Sequence, residues 1–161
     1  MGLFNFLNQN QKGEVQPKNS THIEMMFSKE MASKAAYFVT SYAERFDELD
    51  YSVDSLKVVD NILDDIACHY EDIDDSILHI IVTLTSSYIF EVAKRNFGGK
   101  YYWHEQLQQP IFVTSQPHFE VSLLVFEKVK RRLKYGYDDH IPLFFDGFVN
   151  SVLREESAKI E

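Results

Sequence analysis

The chain has 161 residues, 45% of them hydrophobic and 14% aromatic, with a formal net charge of −9. That apolar content supports one buried core and excludes a disordered chain, while the charge opposes bulk attraction to nucleic acid or an anionic lipid surface. Cys68 is the sole cysteine, so no internal disulfide forms and a cytoplasmic location is expected; with no run of about 18 apolar residues, no membrane span is expected.

Residues 1–20 read as a flexible leader, with the polar run Asn8-Gln9-Asn10-Gln11, Gly13 and Pro17 following an apolar tip, Leu3 to Leu7. That tip lacks the basic start and cleavage site of a secretory signal. Residues 21–161 read as a single domain. The periodicity predicts a first helix over 22–49, with Ile23, Met26, Phe27, Met31, Ala35, Phe38, Val39, Tyr42 and Phe46 on its apolar face. A second helix is predicted over 53–69, capped by Ser52, with Leu56, Val59, Ile62, Leu63 and Ile66 inward.

The longest apolar helix is predicted over 76–96. Ile77, Ile80, Ile81, Leu84, Tyr88 and Val92 recur at three- and four-residue spacing. Asp74 or Asp75 suits its N-cap, Lys94 and Arg95 complement the dipole in its last turn, and Gly98-Gly99 ends it. Tyr101, Tyr102 and Trp103 prefer a strand over 100–104, followed by strands over 110–114 and 120–124. Two further helices are predicted. The first, over 126–135, buries Val129 and Leu133; the second, over 141–155, turns Leu143, Phe144, Phe148, Val152 and Leu153 inward, with Pro142 in its first turn. The fold class is therefore α+β, helices packed on a small antiparallel sheet.

The stretch Glu91-Val92-Ala93-Lys94-Arg95-Asn96-Phe97-Gly98-Gly99, an aromatic strand, then Lys128 to Leu133, Gly136 and Asp138-Asp139 resembles a loose set of small bacterial domains of unknown function. Some similar proteins stand near toxin-immunity families. The resemblance covers roughly residues 74–149 and implies helices on one side of a small sheet. No catalytic residue, metal or cofactor comes with it.

Chemistry-bearing patterns are sparse. Asp65 and His69, and Asp75 and His79, are four apart, a spacing that sets carboxylate and imidazole on one helix face. The surrounding di-iron and zinc signatures are missing, so these pairs read as solvated contacts and no metal is expected. Cys68 and His69 are neighbours that point about 100° apart on a helix, and Cys68 reads as a small buried apolar residue. The acids from Glu44 to Asp75 form one charged region, and Lys94, Arg95, Lys100 and Lys128 to Lys134 another. Such regions serve as solvated helix faces or as docking surfaces. Alternation places Tyr101 and Trp103 on one face of their strand and Tyr102 on the other. The expected contact surface thus comprises Tyr102, Trp103, His104 and Glu105 with Asp64 and Asp65 of the acidic helix. The expectation is a non-enzymatic domain acting on a protein partner or another copy of itself. Two alternatives stand beside it: an immunity-type protein neutralising a basic toxin, and a small-ligand binder or enzyme using Trp103, His104 and Glu105.

Overall fold

The computed structural model describes residues 20–115 and 118–158; the leader expected over 1–20 lies, up to residue 19, outside them. Helices α1 (Ser20–Tyr42), α2 (Leu56–Ala67) and α3 (Asp75–Phe97) come first, with a single 3-10 turn, Tyr70–Asp72, before α3. Strands β1 (Lys100–His104), β2 (Gln109–Thr114) and β3 (Val121–Leu123) follow, then α4 (Phe126–Tyr135), a 3-10 turn over Gly136–Asp139, and α5 (Ile141–Ser157). This is the α+β class expected from the sequence.

Helix α3 is the axis of the domain. Asp74 caps it by accepting hydrogen bonds from the N–H groups of Ser76 and Ile77 at 2.9 and 3.0 Å. From Thr85 to Ala93 every residue is buried, because α1 packs along one side while the sheet and α4 also lie against the helix. A helix buried all round needs no single stripe. The stripe expected from its first turn was wrong in part: Ile77 and Ile80 are about half exposed, since the first two turns extend past the neighbours that cover the middle. The helix is also 23 residues long with a mean hydropathy of 1.5 over its most apolar window, enough by length and composition alone to cross a membrane, and 56% of that window is buried inside the domain.

The chain leaves α3 through two glycines at positive φ, Gly98 at 67° and Gly99 at 139°. A Cβ on Gly99 would lie 2.5 Å from both the Val113 carbonyl and the Phe112 ring, so only a bare backbone lets β1 start this close to β2. The sheet order is β1-β2-β3, all antiparallel, with Tyr101 opposite Phe112 and Phe112 opposite Leu123. These three are buried against the helices; the Tyr101 ring meets Phe90 edge-on at 5.9 Å and Phe112 at 5.5 Å. Pro110 is tolerated in the middle strand because β3 pairs only from Phe112 onward, so no ladder bond to β3 is lost at that position.

Four boundaries or faces differ from the sequence reading. Helix α1 stops at Tyr42 rather than at residue 49. The Tyr42 carbonyl accepts from both Arg45 and Phe46 at 3.0 Å, and the acids that follow would oppose the dipole at a helix C-terminus. Beyond this turn Tyr51 takes a left-handed φ of 65°, unusual for a bulky residue. It is held there by three α3 side chains. Its N–H donates to the Tyr88 hydroxyl at 3.0 Å, its carbonyl accepts from Asn96 Nδ2 at 2.9 Å, and the Arg95 guanidinium stacks 3.4 Å from its ring. Helix α2 begins at Leu56, because Ser52 spends its hydroxyl on the N–H of Ser55 in a preceding turn; it ends at Ala67, and Cys68, expected to be buried, is exposed. Strand β3 is confined to Val121–Leu123. In α5, Leu143 and Leu153 are exposed and Ile141, Phe145, Phe148 and Val152 are buried, a face rotated from the expected one.

That rotation has a cause. Asp60 of α2 is buried, and its Oδ1 accepts from the Ile141 N–H at 2.9 Å, fixing which side of α5 turns inward. The same carboxylate accepts from Arg132 Nε at 2.9 Å and Nη2 at 3.0 Å, so one acid joins α2, α4 and α5. Asp60 and Arg132, both assigned to the charged surface from the sequence, are core residues instead.

Replacing Gly99 with alanine is expected to lower stability by about 2 kcal/mol or more, through positive φ and the clash with β2. Gly136→Ala, with positive φ but open space around it, should cost about 1 kcal/mol. Urea denaturation of both variants checks the order.

Candidate functional site

The aromatic run of β1 meets the start of α1. Trp103 stacks on Phe27 with ring centroids 6.2 Å apart and 16° between planes, and Lys100 Nζ reaches Glu24 at 3.5 Å. Tyr101 and Trp103 share a face, as alternation requires, yet Tyr101 is 2% exposed and Trp103 42%. The covered part of the face ends between them. Met25 and Met26, next to Phe27 in α1, and Leu107, in the turn joining β1 to β2, are each at least half exposed. This corner of the domain therefore presents a large aromatic ring to solvent, with Glu24 and Lys100 beside it and the exposed Met25 and Met26 on the same turn of α1, about 200° and 100° around the helix from Phe27.

The remaining expected site residues are distributed differently. Tyr102 lies on the opposite sheet face, across from Ile111, and both are half-buried. His104 is committed to the hairpin, where its Nδ1 accepts from the Leu107 N–H at 3.3 Å. Glu105 is exposed in the turn. Asp64 and Asp65 sit on α2, which packs against α4 and α5 rather than beside the β1 corner. Asp64 accepts from Arg132 Nη2 at 3.0 Å and Asp65 from Arg45 at 2.7 Å. The structure thus groups Trp103, His104 and Glu105 at one corner and places the acidic pair in another part of the fold.

Three buried acids were missed as such by sequence reasoning. Asp60 has been described. Glu91 is 4% exposed and accepts the Tyr101 hydroxyl at 2.8 Å, with Arg95 Nε at 3.5 Å. Burial, then the charge of Glu91, raises the Tyr101 phenol far above its usual range, so Tyr101 stays a donor. Asp139, in the turn before α5, accepts from Lys128 Nζ at 2.9 Å and Arg131 Nε at 3.1 Å. Burial would raise its carboxyl, but those two hydrogen bonds outweigh burial and hold it below the ordinary value. Likewise, burial would lower the Arg132 guanidinium, and its bonds to Asp60 and Asp64 reverse that. A usable signal existed: Asp60 and Arg132 each interrupt an apolar helix face, beside Leu56 and Leu63 in one case and Val129 and Leu133 in the other, with opposite charge.

Every acid from Glu44 to Asp75 other than Asp60 is exposed. His69 and His79 are exposed as well, and among the described residues no group of three or more His, Cys, Asp or Glu side chains is placed to hold a metal ion. No family model, curated protein or solved structure matches the chain.

The Asp139 arrangement gives a pH dependence with a definite sign. A carboxyl held below its ordinary value contributes stability that is complete above about pH 4 and lost as pH falls through the folded-state value. Asp139→Asn is expected to lower stability by about 2 kcal/mol at pH 7 and by much less at pH 3. Urea midpoints of wild type and variant at the two pH values test this.

Proposed function

We propose that this protein acts by protein–protein contact through the corner built from the start of α1 and the β1–β2 hairpin. The observation that carries the reading is the exposed indole of Trp103, stacked on Phe27 and adjoined by Met26 in sequence along α1. A large ring held rigid against the domain and left open to solvent on its other side is the kind of anchor that dominates interface energetics, because little conformational freedom remains to be lost on binding. The exposed Met25 and Met26 on the adjoining turn of α1 have flexible side chains that adapt to a partner's relief. Glu24, Lys100 and Glu105 supply a charged rim.

A second reading is favoured by a separate observation, the exposure of every acid from Glu44 to Asp75 except Asp60. Such a surface suits a basic partner, as an immunity-type protein would require, and would act mainly on the rate of encounter and its salt dependence.

Capture of interacting proteins from the source cells by the immobilised chain separates the two. Under the first reading, Trp103→Ala combined with Met26→Ala weakens capture about 30-fold, equivalent to about 2 kcal/mol, with modest salt dependence. Undiminished capture by that variant contradicts it. Capture that persists in the variant, disappears at about 0.5 M salt and is lost on reversing Asp47 and Glu48 to lysine supports the second.

A further inference from the structure

Helix α4, the first turn of α3 and the 3-10 turn between α2 and α3 border an open cleft of about 170 Å³ that shares no lining residue with the Trp103 corner. Its cationic lining is Lys130, Arg131 and Lys134; its apolar and aromatic walls are Tyr70, Leu78 and Tyr135. Lys130 and Lys134 are four residues apart on one helix, a like-charge pair that is mildly unfavourable. Among the described residues neither has a carboxylate within ion-pair distance. The Lys134 ammonium and the Arg131 guanidinium each lie 5.2 Å from the Tyr135 ring centre. Three cations therefore converge on one small cleft in a chain whose net charge is −9.

Arg131 is also held in place. Its Nε is bound by Asp139, whose carboxylate is itself nearly buried and is shared with Lys128. A guanidinium fixed through Nε keeps its two terminal amino groups as a planar pair of donors, the geometry that matches a phosphate or carboxylate edge. Glu127 lines the same cleft, and the cations outnumber it. The apolar walls would be wasted on a bare inorganic anion.

We propose that this cleft binds a phosphate monoester. Lys130, Lys134 and the terminal amino groups of Arg131 take the phosphate, and Tyr70, Leu78 and Tyr135 contact the organic group that carries it. The site is independent of the α1–β1 corner, and the failure of either leaves the other standing.

The test is titration of the full chain, isotopically labelled, with inorganic phosphate and with phenyl phosphate at constant ionic strength, read by amide chemical shifts. The proposal expects saturable shifts at Tyr70, Leu78 and residues 130–135, with phenyl phosphate binding about tenfold or more tighter than inorganic phosphate because its ring is removed from water. Lys130→Ala with Lys134→Ala should weaken phenyl phosphate about tenfold or more while leaving the melting temperature close to that of wild type. Non-saturating shifts scattered over the surface, equal affinity for the two probes, or unchanged binding by the double variant would each overturn it.

Discussion

The domain is closed by one buried ionic junction. The Asp60 carboxylate accepts two hydrogen bonds from Arg132 and one from the backbone N–H of Ile141, and Arg132 reaches on to Asp64. Both partners of the central pair are almost wholly buried, at 4% and 1% exposure. Taking two such charges out of water is costly, and apolar residues of similar volume often serve stability as well. What the pair supplies is orientation. An apolar face tolerates a helix turned by tens of degrees; a carboxylate that must meet a guanidinium from one helix and an N–H at the start of another does not. The exposed positions of Leu143 and Leu153 follow from that restriction, as does the direction in which the other side of α4 carries Lys130, Arg131 and Lys134.

The opposite half of the molecule is organised by α3. Its end is fixed by two glycines, the second under direct contact from β2, and its last three turns hold the long connection between α1 and α2 through Tyr88, Arg95 and Asn96. Glu91 binds the first strand through Tyr101. The segment of α3 from Tyr88 to Phe97 thus touches nearly every other part of the fold, which is a structural reason for the density of distinctive residues there. It leaves Trp103, at the α1–β1 corner, partly outside this packing.

Features set by local chemistry were readable in the sequence. The Asp74 cap, the glycine doublet, the aromatic strand and the extent of α4 all depend on residues within a turn or two of each other, and they lie where expected. Features set across the fold were not. The end of α1 depends on a turn at Tyr42 and on a Tyr51 backbone held by residues far along the chain, and helical periodicity carries no sign of either. The inward face of α5 depends on Asp60, about eighty residues earlier. At the candidate surface, alternation correctly paired Tyr101 with Trp103, but where the helical cover ends is a three-dimensional property, so their very different exposure had no sequence signature. Asp64 and Asp65, grouped with Tyr102 and Trp103 as part of the acidic second helix, are engaged by Arg132 and Arg45.

The most direct test of this account is a double-mutant cycle at the junction, measuring unfolding free energies for Asp60→Asn, Arg132→Met and the pair together. If the two groups are a unit buried for orientation, each single change strands its partner and costs about 3–5 kcal/mol, while the double variant is no less stable than the worse single one. Single changes costing under about 1 kcal/mol, or costs that simply add, would contradict it, because the two side chains would then be separate surface charges rather than the bond that closes the domain.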